Sequence, residues 1–260
     1  MKRILINKED LFLPNGLEWL KDFPVYDSSC SPEARVYFID TGEGIFLKTA
    51  AKDTLFREAR MTEYFSKKGF GAEVISYISD KKDYLLTKRV KGEDCTLDNY
   101  LADPLRLADI MGKRLRMLHE TSAEDCPVKD RVGEYIALAE KNYKTDNYDK
   151  SAFPDSFGYK SGEEAYYVLQ KGKHLLKNEV LIHGDYCLPN IMLDNWEFSG
   201  FIDVGNGGIG DRHIDLFWGV WTLWFNLKTN EYTDRFLDAY GRDKIDMDKL
   251  KIVAAAEVFG

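Results

Sequence analysis

The sequence has no apolar run long enough to cross a bilayer, and Met1-Lys2-Arg3-Ile4 opens too short a hydrophobic stretch for a secretory signal. Only 4 cysteines and 4 histidines occur in 260 residues. Cys30, Cys95, Cys126 and Cys187 form no Cys-x-x-Cys pair, and His119, His174, His183 and His213 are equally dispersed. That scatter argues against a Cys/His metal centre or a disulfide framework and for reduced thiols in the cytoplasm. A G-x-G-x-x-G loop is missing, and no internal repeat or low-complexity tract stands out. Positive charge is short as well. A formal net charge of −8 disfavours nucleic acid as a partner and suits a cationic ligand. With no membrane span to place, the chain reads as a cytoplasmic protein long enough to bury a core of its own.

What the chain does have is concentrated between residues 180 and 215. Val180-Leu181-Ile182 is a short apolar run leading into His183-Gly184-Asp185, so Asp185 falls where a strand gives way to a loop. Asn190 precedes a second run, Ile191-Met192-Leu193. The turn Asp194-Asn195-Trp196-Glu197 then leads into a third strand, Phe198 to Ile202, followed by Asp203. A hairpin of the last two strands sets Asn190 beside Asp203, with Asp185 facing them. Any one of these residues alone is an ordinary turn former. The ordered set Asp-x4-Asn-x12-Asp-x-Gly says more. Phosphoryl transfer needs a carboxylate to orient or deprotonate the attacking hydroxyl, and oxygen ligands for the Mg²⁺ that bridges the phosphates. Asp185 suits the first task; Asn190 and Asp203 suit the second.

Around this segment the patterns divide the chain. Residues 1–90 read mainly as strands around one helix. Val36–Ile39 and Ile45–Lys48 flank Thr41-Gly42-Glu43-Gly44, a helix over Thr54–Lys68 stops at Gly69, and strands follow at Val74–Ile78 and Tyr84–Val90. Beyond Gly92, helical periodicity recurs over Leu105–Glu120, Arg131–Tyr143, Glu163–Leu176, Ile214–Leu227, Glu231–Tyr240 and Met247–Phe259. The predicted fold class is α+β. A nucleotide-binding lobe with an antiparallel sheet and one main helix occupies residues 1–90, a hinge 88–92, and a mainly helical lobe with catalytic loop and substrate site 91–260.

HGDYCLPNIML followed by FIDVGNGGIGDRHIDL resembles the catalytic and metal-binding segment of the aminoglycoside phosphotransferases, and within that protein-kinase-like family the 3′-phosphotransferases most. Asp185, Asn190, Asp203 and Asp215 fall on that family's motif positions. Gly184 stands where eukaryotic protein kinases have the Arg of His-Arg-Asp, and no Ala-Pro-Glu segment follows Asp203, which argues for a small-molecule kinase. The resemblance implies an enzyme that moves the γ-phosphate of ATP or GTP, with Mg²⁺, to a hydroxyl of an aminoglycoside antibiotic. The 3′-hydroxyl is the expected acceptor, and antibiotic resistance the expected outcome. It further implies a two-lobed kinase fold, Asp185 as base, Asn190 and Asp203 on the metal, and His183 and Asp215 supporting the catalytic loop. A monomer or weak dimer is expected.

On the nucleotide side the resemblance places Lys48 on the α- and β-phosphates, with Glu58 fixing its side chain. The ten-residue spacing is short for the family, which leaves Glu63 as a substitute. Ser31, in Ser28-Ser29-Cys30-Ser31-Pro32, stands in the nucleotide-positioning loop. Backbone groups from Lys88 to Val90 would pair with the base edge. Phe46 would stack on the purine, although an aromatic in a strand reads equally well as core.

On the acceptor side, Asp146-Asn147-Tyr148-Asp149 resembles the acidic run of the family's helical insertion, and Glu257-Val258-Phe259 its C-terminal Glu-x-Phe. Asp146, Asp149, Glu257 and Phe259 are therefore the expected substrate residues. Two departures count against this. The family's acidic residue near Phe225–Asn226 is missing, and residues 141–160 hold four Lys (141, 144, 150, 160) against three Asp (146, 149, 155). A kinase of the same fold acting on a macrolide, choline, homoserine or sugar-like hydroxyl is the alternative, and a nucleotide-binding regulator without catalysis is the third reading. Trp218, Trp221 and Trp224 recur at helical spacing and read as core packing, with one indole as a candidate sugar wall.

Overall fold

A computed structural model describes residues 3–30, 32, 34–150 and 158–260, so the assignment of Ser31 lies outside the described residues. In chain order the elements are β1 (Ile4–Leu5), β2 (Val25–Asp27), β3 (Ala34–Ile39), β4 (Ile45–Ala51), α1 (Phe56–Lys67), β5 (Val74–Ser79), β6 (Lys82–Lys88) and β7 (Glu93–Asp94). There follow α2 (Asp98–Leu101), α3 (Pro104–Glu120), α4 (Arg131–Lys144), α5 (Gly162–Gly172), β8 (Val180–Ile182), β9 (Ile191–Asp194) and β10 (Glu197–Phe201). The last are β11 (Gly208–Gly210), α6 (Arg212–Leu227), α7 (Thr233–Tyr240) and α8 (Met247–Glu257). This mixture of helices and antiparallel strands is the α+β class read from the sequence. Among the described residues no helix is long and apolar enough to cross a membrane.

The chain divides into two compact units, Met1–Asp94 with Asn190–Gly205, and Cys95–Pro189 with Asn206–Gly260. The sequence reading put the boundary at 88–92 and left the whole motif segment in the second lobe. Hairpin β9–β10 groups instead with the first unit, for two physical reasons. β9 pairs with β7 (Glu93 opposite Leu193, Asp94 opposite Met192), and the buried Phe201 ring packs on Phe65 and Phe70.

In the first unit a six-stranded antiparallel sheet runs in the order β1-β2-β3-β4-β6-β5. The period-two alternation of β4 decides where its side chains go. Ile45 and Leu47 enter a core with Val25, Ile39, Tyr84 and Leu86, while Phe46 and Lys48 point to the opposite face. On that second face Leu85 packs with Leu55 and Ala59, which seats α1 over the sheet and brings Glu58 towards Lys48. Leu55 offers α1 no side-chain cap; the buried carboxylate of Asp83 accepts the Leu55 N–H at 2.8 Å instead.

The second unit is mainly helical. Asp103, Asp130, Ser161, Asp211 and Asp246 each accept a backbone N–H as N-caps, which fixes where α3, α4, α5, α6 and α8 begin. The buried face of α3 (Leu107, Ala108, Met111, Gly112, Leu115, Leu118, His119) follows the helical period. A Cβ on Gly112 would stand 2.5 Å from the Phe236 carbonyl, so this glycine sets how closely α3 and α7 approach. The periodic stretch predicted to continue to Leu176 ends as an α-helix at Gly172 and finishes in a 3₁₀ turn, Lys173–Leu175. Here Gly172 packs against the Ile252 side chain, where an added Cβ would stand 2.4 Å away. β1, β2, β7, β11 and α2 were not anticipated, since segments of two to four residues carry no periodic signal.

Candidate active site

In the first unit, Lys48 Nζ lies 2.8 Å from both Glu58 carboxylate oxygens and 2.9 Å from Oδ1 of Asp203. One ammonium thus serves two carboxylates. Burial alone would lower the Lys48 pKa, but Asp203 and Glu58 outweigh it and hold the group above its ordinary value. The surplus negative charge falls on Glu58, whose pKa is pushed up by burial and by Asp203 despite the bonds from Lys48. Glu63, the substitute, is exposed and pairs with Lys67 at 2.6 Å. Asp203 sits just past β10 at φ 56, a left-handed conformation that aspartate tolerates better than most residues. Two positions on, a Cβ at Gly205 would approach Glu58 Cβ to 3.2 Å, so the Asp-x-Gly motif lets this segment lie against α1. Asn190, nearly buried, is drawn to the same end of the hairpin: its carbonyl accepts the Ile202 N–H at 3.0 Å, continuing the register Phe201 opposite Ile191.

Phe46 lies opposite Phe38 and Thr87, half-buried, with its ring centroid 5.3 Å from that of Phe38. At the end of β6 the Lys88 N–H donates to the Glu73 carbonyl at 2.9 Å and the Arg89 N–H to the Gly44 carbonyl at 3.2 Å. The Lys88 side chain is paired with Glu73. Val90 is buried.

In the second unit the loop after β8 is built around Asp215. This carboxylate, fully buried in the first turn of α6, accepts the His183 and Gly184 N–H groups, each at 2.7 Å. It also meets His119 Nε2 at 3.0 Å. Tyr240 Oη lies 2.9 Å from His119 Nδ1, and Arg212 donates to that hydroxyl. The chain of donors therefore runs from Tyr240 to His119 to Asp215. Burial depresses the His119 pKa, which keeps the ring neutral, with Nε2 as donor and Nδ1 as acceptor. His183 is fully buried, and its Nδ1 accepts the Asp185 N–H at 3.3 Å. Gly184 has φ 82, and a Cβ there would stand 2.0 Å from the Asn206 carbonyl oxygen; no other residue fits. Thr222 Oγ1 accepts the Leu188 N–H at 3.1 Å and Tyr186 donates to the Met111 carbonyl at 2.8 Å, so the loop is pinned from α6 and α3. Asp185 itself is left half-buried.

The residues expected to meet an acceptor differ among themselves. Asp146 and Asp149 are exposed, and Asp146 is paired with Lys150 at 2.6 Å. Phe259 is fully buried, with its ring against Tyr143, Tyr148 and Tyr166, so it packs the core beneath any ligand. Glu257 is nearly buried. Its Oε1 accepts from Tyr135 Oη at 2.8 Å and from Trp218 Nε1 at 2.9 Å. Burial, followed by the charge of Asp185, pushes the Glu257 pKa up to about 7, although Tyr135, Trp218 and Arg131 pull the other way. His119, Thr222, Tyr135 and the Trp218 N–H were missed by sequence reasoning. The signal for His119 was a titratable residue on the apolar stripe of α3; the others carry none.

Among the described residues no cluster of three or more His, Cys, Asp or Glu is arranged to hold a metal ion by itself. Mg²⁺ does not require one. It takes one or two carboxylate or amide oxygens and completes its shell with water and phosphate. Asn190 and Asp203 supply hard oxygen donors at one end of the hairpin, and Asp203 keeps about half its side chain exposed. This donor set fits the ion.

Residues 32–253 match the profile of a family described as the phosphotransferase enzyme family. The chain is 51% identical, over all of its length and 99% of the relative, to a probable aminoglycoside 3′-phosphotransferase of Lactococcus lactis subsp. lactis (strain IL1403). It is 28% identical to an aminoglycoside 3′-phosphotransferase of Niallia circulans, covering 68% of this chain and 67% of that one. Among solved structures, an aminoglycoside-3′-phosphotransferase of type VIII superposes with a TM-score of 0.76 at 25% identity, covering 90% of this chain and 92% of that one. An aminoglycoside phosphotransferase of Streptomyces rimosus ATCC10970, in complex with ADP and streptomycin, shares the fold with a TM-score of 0.72 at 22% identity, covering 86% of this chain and 90% of that one.

Proposed function

This chain belongs to the phosphotransferase enzyme family, and from that premise we propose that it transfers the γ-phosphate of ATP or GTP to the 3′-hydroxyl of an aminoglycoside in the cytoplasm, conferring resistance. The observation that carries the reading is the Lys48–Glu58–Asp203 arrangement. An ammonium shared by two carboxylates is held extended and charged, ready to bond the α- and β-phosphates. Asn190 and Asp203 would hold Mg²⁺, which when bound offsets charge on the phosphates. Phe46 offers a ring to the purine. Because the Lys88 and Arg89 N–H groups already have acceptors, base recognition falls to their carbonyls and to Val90.

Asp185 takes the part of the base. Its backbone is fixed by His183 and, through the adjacent peptides, by Asp215, which leaves the carboxylate to orient the acceptor hydroxyl and receive its proton. His183 is a positioning residue, since its accepting nitrogen is occupied by the Asp185 N–H. For a polycationic acceptor Glu257 is the principal counter-charge in the helical unit. Asp146 and Asp149 contribute at long range, because they are exposed and Asp146 is already paired.

Release of ADP or GDP with kanamycin or neomycin as acceptor tests the reading, with the phosphorylated position mapped by NMR. No aminoglycoside-dependent nucleotide consumption would overturn it. Consumption confined to another hydroxyl acceptor would support the alternative of a macrolide, choline, homoserine or sugar-like kinase, which the pairing of Asp146 with Lys150 favours.

A further inference from the structure

Glu257 is a carboxylate taken out of water without a cation of its own. Both of its donors, Tyr135 Oη and Trp218 Nε1, converge on one oxygen, Oε1. The Tyr135 hydroxyl is fixed in turn, lying 3.2 Å from the Val253 carbonyl one turn back on α8. Among the described residues nothing donates to Oε2, which lies beside Gly260, and no lysine or arginine forms an ion pair with the carboxylate. The charged and titratable groups that face it are Arg131 and Tyr135 on α4, and Asp185 and Cys187 on the loop after β8, with the Trp218 N–H on α6. Asp185 adds repulsion. A buried anion this poorly compensated is costly unless a positive partner arrives with the ligand.

We propose that Tyr135 and Trp218 are specificity-determining positioning residues: by holding Oε1 they present Oε2 as a one-sided receptor for an ammonium group of the acceptor. Binding then completes an ion pair whose anionic half is preformed, so a cationic acceptor is favoured over a neutral one of equal size. The inference rests on the proposed phosphotransfer to an aminoglycoside and deepens it. A linked consequence is that ammonium binding displaces the proton that Glu257 retains near neutrality, so acceptor affinity rises with pH through that range. Both donors favour the charged carboxylate, and removing them makes the proton harder to displace.

The test is steady-state kinetics of Y135F, W218F and the double variant of the full chain, with kanamycin and ATP, from pH 6 to 9. The kanamycin KM at pH 7 should rise roughly tenfold in the double variant, as expected for losing hydrogen bonds to a charged group. The ATP KM and kcat should stay near those of the parent. The acid limb of kcat/KM for kanamycin should move to higher pH, and the KM defect should narrow at pH 9. If the double variant does not accumulate, either single variant carries the test. An unchanged kanamycin KM and pH profile would overturn the proposal, as would an equal rise in the ATP KM. A parent enzyme that turns over no aminoglycoside refutes the proposed function itself, which separates the two failures.

Discussion

Replacing Glu257 by glutamine should stabilise the protein at alkaline pH while weakening it as an enzyme. The folded-state pKa is about 7 against an ordinary 4.5, raised first by burial. The folded state therefore binds this proton more tightly than the unfolded chain. Stability is not penalised below pH 4.5, falls as pH rises through the window from 4.5 to 7, and carries the full penalty above it. The difference of 7 − 4.5 = 2.5, at 1.36 kcal/mol per pH unit, amounts to about 3 kcal/mol at pH 8 and under about 1 kcal/mol at pH 5. Glutamine keeps an acceptor for Tyr135 and Trp218 and removes the penalty. Differential scanning calorimetry of parent and E257Q should show a gain of roughly 5–10 °C at pH 8 for the transition of the helical unit, and little at pH 5. The KM for kanamycin should rise in the same variant. Equal gains at both pH values, or a loss at pH 8, would refute the reasoning, because a generic packing effect has no such pH dependence.

Asp185→Asn should lower kcat by about 10²–10⁴-fold with nucleotide binding retained, as for loss of a general base; a parent-like kcat would remove Asp185 from the chemistry. Lys48→Ala should raise the ATP KM roughly tenfold or more and leave Glu58 and Asp203 without a shared cation, so unchanged ATP affinity would count against the proposed phosphate contact. Asp215→Ala orphans the His183 and Gly184 N–H groups and the His119 donor, and urea denaturation should report a loss of about 3–5 kcal/mol. Gly184→Ala, strained at φ 82 and pressed on the Asn206 carbonyl, should abolish most turnover, measurable as nucleotide release.

Long elements were legible because their periods are local. Leu105–Glu120 and Arg131–Tyr143 lie within one residue of α3 and α4 at either end, and Val180–Ile182 coincides with β8. Lys48 and Glu58 could be paired on paper because Lys48 breaks an apolar strand on its alternate face and Glu58 follows on the next helix. Asn190 and Asp203 were readable for a related reason: a two-strand register is set by its turn. What stayed hidden arises between distant segments. Tyr135, Trp218 and Glu257 come from three helices separated by tens of residues, and no spacing announces that two donors share one oxygen. Phe259 shows the reverse error. Motif resemblance marked it for substrate, while three tyrosines enclose it. The unit assignment of β9 and β10 was equally beyond reach, since it depends on which strand end β7 meets.

The detour of residues 190–205 into the first unit gives the polypeptide three covalent crossings between its units, at 94/95, 189/190 and 205/206. A single protease nick at residue 94 would leave two tethers intact, and the halves would stay joined. A recombinant fragment stopping there would lack β9 and β10, with Phe65 and Phe70 stripped of Phe201 and β7 of its partner strand. Dissection of this protein therefore calls for a permuted gene that carries 190–205 along with the amino-terminal segment.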